Sequence, residues 1–133
     1  TITEILRFKV GDNLPTTHEA STVGDALTSV RPDAGNRRTG AILLVNDAGQ
    51  LTGIFTDGDL RRLVIDDQAP MEKIISEVAT KNPRRLPTTA LVRDAQLLVA
   101  EYRVDEIPVV DSDNKPIGMI DVQDLIAMKV VTE

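Results

Sequence analysis

An internal repeat constrains the fold of this chain more than any other feature of its sequence. At an offset of 65 residues, a pattern of strand, turn, strand and helix start matches itself without a gap, so that Gly53 aligns with Gly118 and Asp59 with Asp124. A helical pattern upstream repeats at an offset of 69 residues, and the extra residues fall in a polar loop. Repeated units usually stack their apolar faces into one core, because neither half buries enough surface alone.

Each copy is predicted to form a strand, a helix, a hairpin and a second helix. The predicted elements are a lead-in helix at Thr3–Phe8, an extended segment at Pro15–His18, a helix at Thr22–Val30, a loop at 32–36, a hairpin of Ala41–Val45 and Leu51–Phe55, a helix at Thr56–Ile65, a short helix at Glu72–Val78, an extended segment at Arg84–Leu86, a helix at Leu91–Tyr102, a hairpin of Ile107–Val110 and Ile117–Ile120, and a final helix that Asp121 opens. A break at 66–70 divides the chain into a first motif with its lead-in helix, residues 1–68, and a second motif, residues 69–133. The fold class is therefore α/β, with two strand-helix-hairpin-helix repeats related by pseudo-two-fold symmetry.

Composition excludes several classes of function. A net charge of −6 and only three aromatic residues among 133 argue against nucleic-acid binding. No apolar run reaches the ~18–20 residues of a membrane span, and no signal-peptide pattern opens the chain. The absence of cysteine excludes disulfides and a thiol nucleophile and favours a cytoplasmic setting. A start at Thr1 suggests a piece of a longer protein.

The stretch from Gly53 to Arg62 carries the clearest chemistry. Thr56 is predicted to cap the helix that follows, with Asp59 three residues on, in a capping-box arrangement. The same helix start could hold a phosphate through its backbone N–H groups, and the Asp59 carboxylate could accept hydrogen bonds from a ribose diol. Capping alone also explains both residue types, so the two interpretations stay open.

The repeat resembles a tandem pair of CBS motifs, known as a Bateman module. The resemblance rests on residues 42–49, Gly53–Asp59, Ile107–Asp111 and Gly118–Asp124, and it covers nearly the whole chain. Within it, residues 11–15 and 53–62 look like the C-terminal half of arabinose 5-phosphate isomerases, whose product feeds synthesis of the lipopolysaccharide sugar Kdo. A CBS pair implies nucleotide sensing, regulation of an attached enzyme, or assembly, and it implies no catalysis of its own.

The resemblance also implies a ligand site in the first motif. Nucleotide ribose would bind Asp59, phosphate would lie near Thr56, and Thr39, Gly40 and Ala41 would line the base. Arg61 and Arg62, one turn into the helix, could neutralise the phosphate, although exposed helical arginines usually only face solvent.

The second motif departs from the first where its helix begins. Asp124 keeps the acceptor for a diol, but Asp121 replaces the threonine, and a second carboxylate opposes an anionic ligand unless Arg84 or Arg85 compensates. The family usually has a histidine-rich sequence here, which this chain lacks. A cation bridging Asp121 and Asp124 is one alternative, and simple helix capping is the commoner one.

The expected function is a regulatory, ligand-sensing module of a sugar-phosphate isomerase of the arabinose 5-phosphate type. It would bind a nucleotide or nucleotide-sugar in the cleft between the motifs, with CMP-Kdo as the first ligand to test and adenine nucleotides as the second. Its expected partners are a second copy of itself and an N-terminal sugar-isomerase domain, with no nucleic acid and no membrane. No catalytic residues and no metal ligands are expected, because His18 is the only histidine, which disfavours a transition-metal site, and because no nucleophile motif occurs. The alternative is a structural dimerisation module without a ligand.

Overall fold

The computed structural model describes residues 2–5, 8–9, 13–30, 40–123 and 125. The chain divides into two units, one made of Pro15–Pro83 and the other of Thr1–Leu14 together with Arg84–Glu133. The strands are β1 (Phe8–Lys9), β2 (Thr16–His18), β3 (Ala41–Val45), β4 (Leu51–Thr56), β5 (Thr80–Lys81), β6 (Leu86–Pro87), β7 (Glu106–Val110) and β8 (Pro116–Asp121). The α-helices are α1 (Val23–Ser29), α2 (Asp57–Asp66), α3 (Ile75–Val78) and α4 (Val92–Tyr102), and 3-10 helices span Ile2–Ile5 and Pro70–Glu72.

The unit Pro15–Pro83 contains a four-stranded sheet in the order β2-β3-β4-β5. β2 lies parallel to β3, and the other neighbours are antiparallel. One core cluster of this unit joins α1, α3 and the central hairpin, and its buried members are Val23, Ala26, Ile42, Leu44, Phe55 and Ile75. The helix that begins after Thr22 and the hairpin at 41–56 are therefore as the sequence predicts.

The second unit contains a sheet in the order β1-β8-β7-β6. β6 lies parallel to β7, whereas β8 is antiparallel to both β7 and β1. The core of this unit contains Ile2, Leu86, Ala90, Ala95, Ile107, Val109, Ile120 and Leu125. Half-buried Leu98 and Val99 of α4 pack against that core, so the face of the helix that carries them and buried Ala95 points inward.

The internal repeat extends to the register of the strands. Ile42 pairs with Phe55 in the first hairpin and Ile107 with Ile120 in the second, at the same 65-residue spacing. Both hairpins shift register at the equivalent point, between Leu44 and Val45 and between Val109 and Val110. The predicted fold class, an α/β pair of repeats with two sheets, is confirmed.

β1 comes from the N-terminal residues but completes the sheet built mainly by the second repeat. Its pairing with β8 is the counterpart of the pairing between β5 and β4. The units therefore do not coincide with the sequential halves 1–68 and 69–133. That division stays a prediction about the sequence motifs.

Two predicted elements differ in the structure. The lead-in helix at Thr3–Phe8 is wrong at its end, because the 3-10 helix stops at Ile5 and Phe8 belongs to β1. The single helix at Glu72–Val78 is also wrong, because Ile74 forms an isolated bridge with Thr22 and separates the 3-10 helix from α3. The predicted start of the final helix is confirmed, because Asp121 ends β8 as Thr56 ends β4 and residues 122, 123 and 125 are helical.

The rest of the final helix and the loop at 32–36 lie outside the described residues. Among the helices that the structure does describe, none is long and apolar enough to cross a membrane.

Candidate functional site

The candidate site lies where β4 passes into α2. Thr56 has the extended backbone of an N-cap residue, with φ −99° and ψ 165°. Its Oγ1 accepts a hydrogen bond from the Asp59 N–H at 3.1 Å, and Asp59 Oδ2 accepts one from the Thr56 N–H at 3.0 Å. The predicted capping box is therefore confirmed, and both groups stabilise the first turn of α2.

The Asp59 carboxylate is buried and already has a second partner. Its side chain is 7% exposed, and Arg62 Nη2 donates to its Oδ1 at 2.5 Å. A buried carboxylate is costly unless it is hydrogen-bonded or paired with a cation, and Asp59 has both kinds of contact. The Arg62 side chain is 70% exposed, so this partner can leave without repacking the core.

Gly40, the residue before β3, also contacts the start of α2. The Gly40 carbonyl oxygen accepts a hydrogen bond from the Asp57 N–H at 2.9 Å. Ala41 is 3% exposed and is paired with Thr56 across the hairpin. The structure thus brings together five of the predicted site residues, namely Gly40, Ala41, Thr56, Asp59 and Arg62. Thr39 lies outside the described residues.

Sequence analysis missed the pairing of Arg62 with Asp59. It assigned Arg62 either to a ligand phosphate or to solvent, although residues three apart on a helix are neighbours and an arginine at that spacing reaches an aspartate. The spacing of Asp59 and Arg62 was the signal that could have revealed the ion pair.

The equivalent position of the second repeat has the same backbone contact but a different cap. The Val122 N–H donates to the Asp105 carbonyl oxygen at 2.8 Å, as the Asp57 N–H does to Gly40. Asp121 Oδ1 accepts from the Gln123 N–H at 2.8 Å, so a charged carboxylate caps this helix start. Asp124 lies outside the described residues, and a cation bridge to it stays a prediction.

The two arginines suggested as compensation for Asp121 have other contacts. The Arg84 guanidinium lies over the Tyr102 ring, 3.4 Å from its centroid, in a cation–π contact. Arg85 Nη1 donates to Asn114 Oδ1 at 2.6 Å, and burial lowers the pKa of the Arg85 guanidinium below its usual value. Compensation of Asp121 by either arginine stays a prediction.

His18 lies at the surface in a local hydrogen-bonded turn. Its Nδ1 accepts from the Ala20 N–H at 3.0 Å, which leaves the proton of the neutral ring on Nε2. Nε2 lies 2.6 Å from Asp47 Oδ1, and the Asp47 side chain is 98% exposed. This geometry explains His18 as a structural residue of the turn after β2.

Comparison with known proteins assigns the repeat to a family. The family model for the CBS domain matches residues 2–66 and 75–130. The chain is 34% identical over 123 residues to an uncharacterised protein of Rickettsia prowazekii, covering 92% of this chain and 36% of that protein. It is 32% identical over 117 residues to arabinose 5-phosphate isomerase KdsD of Francisella tularensis, covering 80% of this chain and 35% of the enzyme. The chain therefore spans about a third of the length of these relatives.

The fold has a counterpart among solved structures. The crystal structure of CBSX2, a CBS-pair protein of Arabidopsis thaliana, in complex with AMP superposes with a TM-score of 0.77. The match covers 99% of this chain and 97% of that one, at 22% sequence identity. At this identity the similarity establishes the fold alone.

Proposed function

Because this chain belongs to the CBS-domain family, we propose that it is a regulatory module that binds a nucleotide at the start of α2. The observation that carries the proposal is the buried Asp59 carboxylate, held beside the Thr56 hydroxyl and within reach of an exposed arginine. A carboxylate accepts both hydroxyls of a ribose, and a helix start attracts phosphate. AMP, the ligand of CBSX2, is the candidate that the shared fold favours.

The module would act on an attached enzyme by shifting a conformational equilibrium. The KdsD relative is an arabinose 5-phosphate isomerase about three times as long as the segment it shares with this chain, which supports a sugar-isomerase domain as the regulated partner. A nucleotide that binds one conformation more tightly than another biases the attached domain by the difference in binding free energy. We also propose that the regulated reaction is the isomerisation of arabinose 5-phosphate and that CMP-Kdo is a second ligand.

Calorimetry with AMP, ATP and CMP-Kdo tests the proposal, supported by thermal melting. A ligand at 100 times its dissociation constant adds about 2.7 kcal/mol to the free energy of unfolding. Thr56→Ser keeps the hydroxyl and should keep binding, whereas Thr56→Val removes it and should weaken binding about tenfold. Thr22→Val removes the matching cap hydroxyl from α1 instead of α2, should leave binding unchanged, and serves as the control. If no nucleotide binds the unmodified chain at millimolar concentration, the proposal is wrong.

A structural dimerisation module is the second candidate, and exposed apolar side chains favour it. Leu97 of α4 is 64% exposed, Ile65 of α2 is 74% exposed, and Leu91 and Tyr102 at the ends of α4 are 46% and 40% exposed. Apolar side chains left on a surface often belong to an interface between subunits. Light scattering should then give twice the monomer mass, and a monomer at every accessible concentration would count against homodimerisation.

A further inference from the structure

We infer that Arg62 is a specificity-determining residue that makes nucleotide binding depend on the phosphate of the ligand. The inference rests on the proposed function, since it concerns the same site. Arg62 Nη2 donates a hydrogen bond to Asp59 Oδ1, one of the two oxygens to which a ribose diol would bind. The other oxygen, Oδ2, accepts from the Thr56 N–H. Each oxygen has a second lone pair, but with the guanidinium in place the Asp59 side chain is only 7% exposed, so a diol reaches the carboxylate by displacing Arg62.

The rest of the guanidinium lies across the first turn of α2. A Cβ atom built on Gly58 would be 3.5 Å from Arg62 Nη1 and 3.6 Å from Thr56 Oγ1, so the guanidinium and the hydroxyl approach the same point of the backbone. A cation at a helix N-terminus opposes the positive end of the helix dipole, and here the acidic side chains of the first turn offset that effect. Arg62 thus covers the place where an anion would bind.

A nucleoside and a nucleotide differ in what they offer Arg62 when they bind to Asp59. A nucleoside without phosphate breaks the bond between Arg62 and Asp59 and gives the guanidinium nothing in return. A nucleotide also breaks it, but its phosphate, at the helix start, offers the guanidinium a bidentate partner of higher charge. In this exchange the guanidinium is paired with the phosphate, and the Asp59 carboxylate accepts from the ribose hydroxyls and the Thr56 N–H, so that neither charged group loses its hydrogen bonds. Arg62 should therefore weaken the binding of nucleosides and permit that of nucleotides.

Calorimetric titration of AMP and adenosine into the unmodified chain and two variants tests this role. Arg62→Met keeps an unbranched apolar side chain but removes the guanidinium, with its charge and its donors. Arg61→Met removes the same charge from the neighbouring exposed residue of α2 and is the matched control. In Arg62→Met, adenosine should bind about threefold more tightly and AMP more weakly, so that the ratio of their affinities falls at least tenfold. Arg61→Met should leave the ratio within about twofold of its original value.

The outcomes separate this inference from the function on which it rests. If AMP binds and the ratio is unchanged in Arg62→Met, the role of Arg62 is wrong and the nucleotide site stands. If Arg61→Met lowers the ratio of the AMP and adenosine affinities as much as Arg62→Met does, the positive charge of α2 in general explains the ratio, and the specific role of Arg62 is wrong. If neither ligand binds any of the three proteins at millimolar concentration, both the site and the role of Arg62 are overturned.

Discussion

Substitution of Asp59 separates the contributions of the two bonds that its carboxylate makes. Asp59→Ala removes the acceptor for the Thr56 N–H and the partner of Arg62 at once. An orphaned, half-buried N–H costs about 1–3 kcal/mol, whereas an ion pair with an arginine that is 70% exposed contributes about 0.2–1 kcal/mol. We expect Asp59→Ala to lower the free energy of unfolding by about 2 kcal/mol.

Asp59→Asn should cost only about half as much. The amide oxygen can still accept from the Thr56 N–H, but the amide nitrogen then faces Arg62 and offers it no acceptor. The loss is that of the exposed ion pair and of a negative charge at the helix start, together about 1 kcal/mol. Arg62→Met, which removes the ion pair alone, should cost less than 1 kcal/mol.

Urea denaturation followed by far-ultraviolet circular dichroism measures the series. With a slope of about 2 kcal/mol per molar urea, each kcal/mol shifts the midpoint by roughly 0.5 M. Equal midpoints for Asp59→Ala and Asp59→Asn would refute the reasoning, since the Thr56 N–H would then not depend on the carboxylate. The reasoning would also be refuted if Arg62→Met lowered the free energy of unfolding as much as Asp59→Ala does. The ion pair, and not the hydrogen bond to the Thr56 N–H, would then be the larger contribution of Asp59.

Replacing a glycine of β4 by alanine should lower the free energy of unfolding, whereas replacing a glycine of α2 should raise it. Gly53→Ala places a Cβ 3.2 Å from both a leucine methyl group and a carbonyl oxygen and should destabilise by about 1–3 kcal/mol, while Gly58→Ala makes only ordinary contacts at 3.5 Å or more and should stabilise by about 0.5 kcal/mol. The same urea assay compares them, and equal signs would contradict this packing. The pKa of Asp67 lies below its usual value, chiefly because the Ala69 N–H donates to it and also because of Lys73. Asp67→Asn should therefore be less stable than the original chain at neutral pH, and the difference should vanish as pH falls through that lowered pKa. A difference that does not change with pH would exclude the charge as its cause.

Local patterns predicted the hairpins and the capped helices because local interactions determine them. Thr22 and Thr56 each accept from an N–H three residues on, and the turn residues between paired strands fix the hairpins without help from distant parts of the chain. The capping box at Thr56 and Asp59 was predictable for the same reason.

The missed elements depend on distant partners. β1 and β5 have only two residues each, too few to show an alternating pattern, and they form because a neighbouring strand offers free edge groups. The helix predicted at Glu72–Val78 is interrupted because the Val23 N–H donates to the Lys73 carbonyl oxygen and the Ile75 N–H donates to that of Ser21, both at 2.8 Å. These bonds to a segment about fifty residues upstream override the local helical preference.

The pairing of β1 with β8 has a consequence for the order in which the chain folds during synthesis. Phe8 of β1 pairs with Met119 of β8, so β1 cannot pair until more than a hundred further residues have been synthesised. The unit Pro15–Pro83 is continuous in sequence and can form as soon as its last residue leaves the ribosome. The other unit needs both of its segments, Thr1–Leu14 and Arg84–Glu133. Closing so long a loop adds little entropy cost but delays the contact. A ribosome stalled after Pro83 has left the exit tunnel, but before the last hairpin has left it, should therefore carry one protease-resistant unit. The segment that contains β1 should become resistant only when the last hairpin has also left the tunnel.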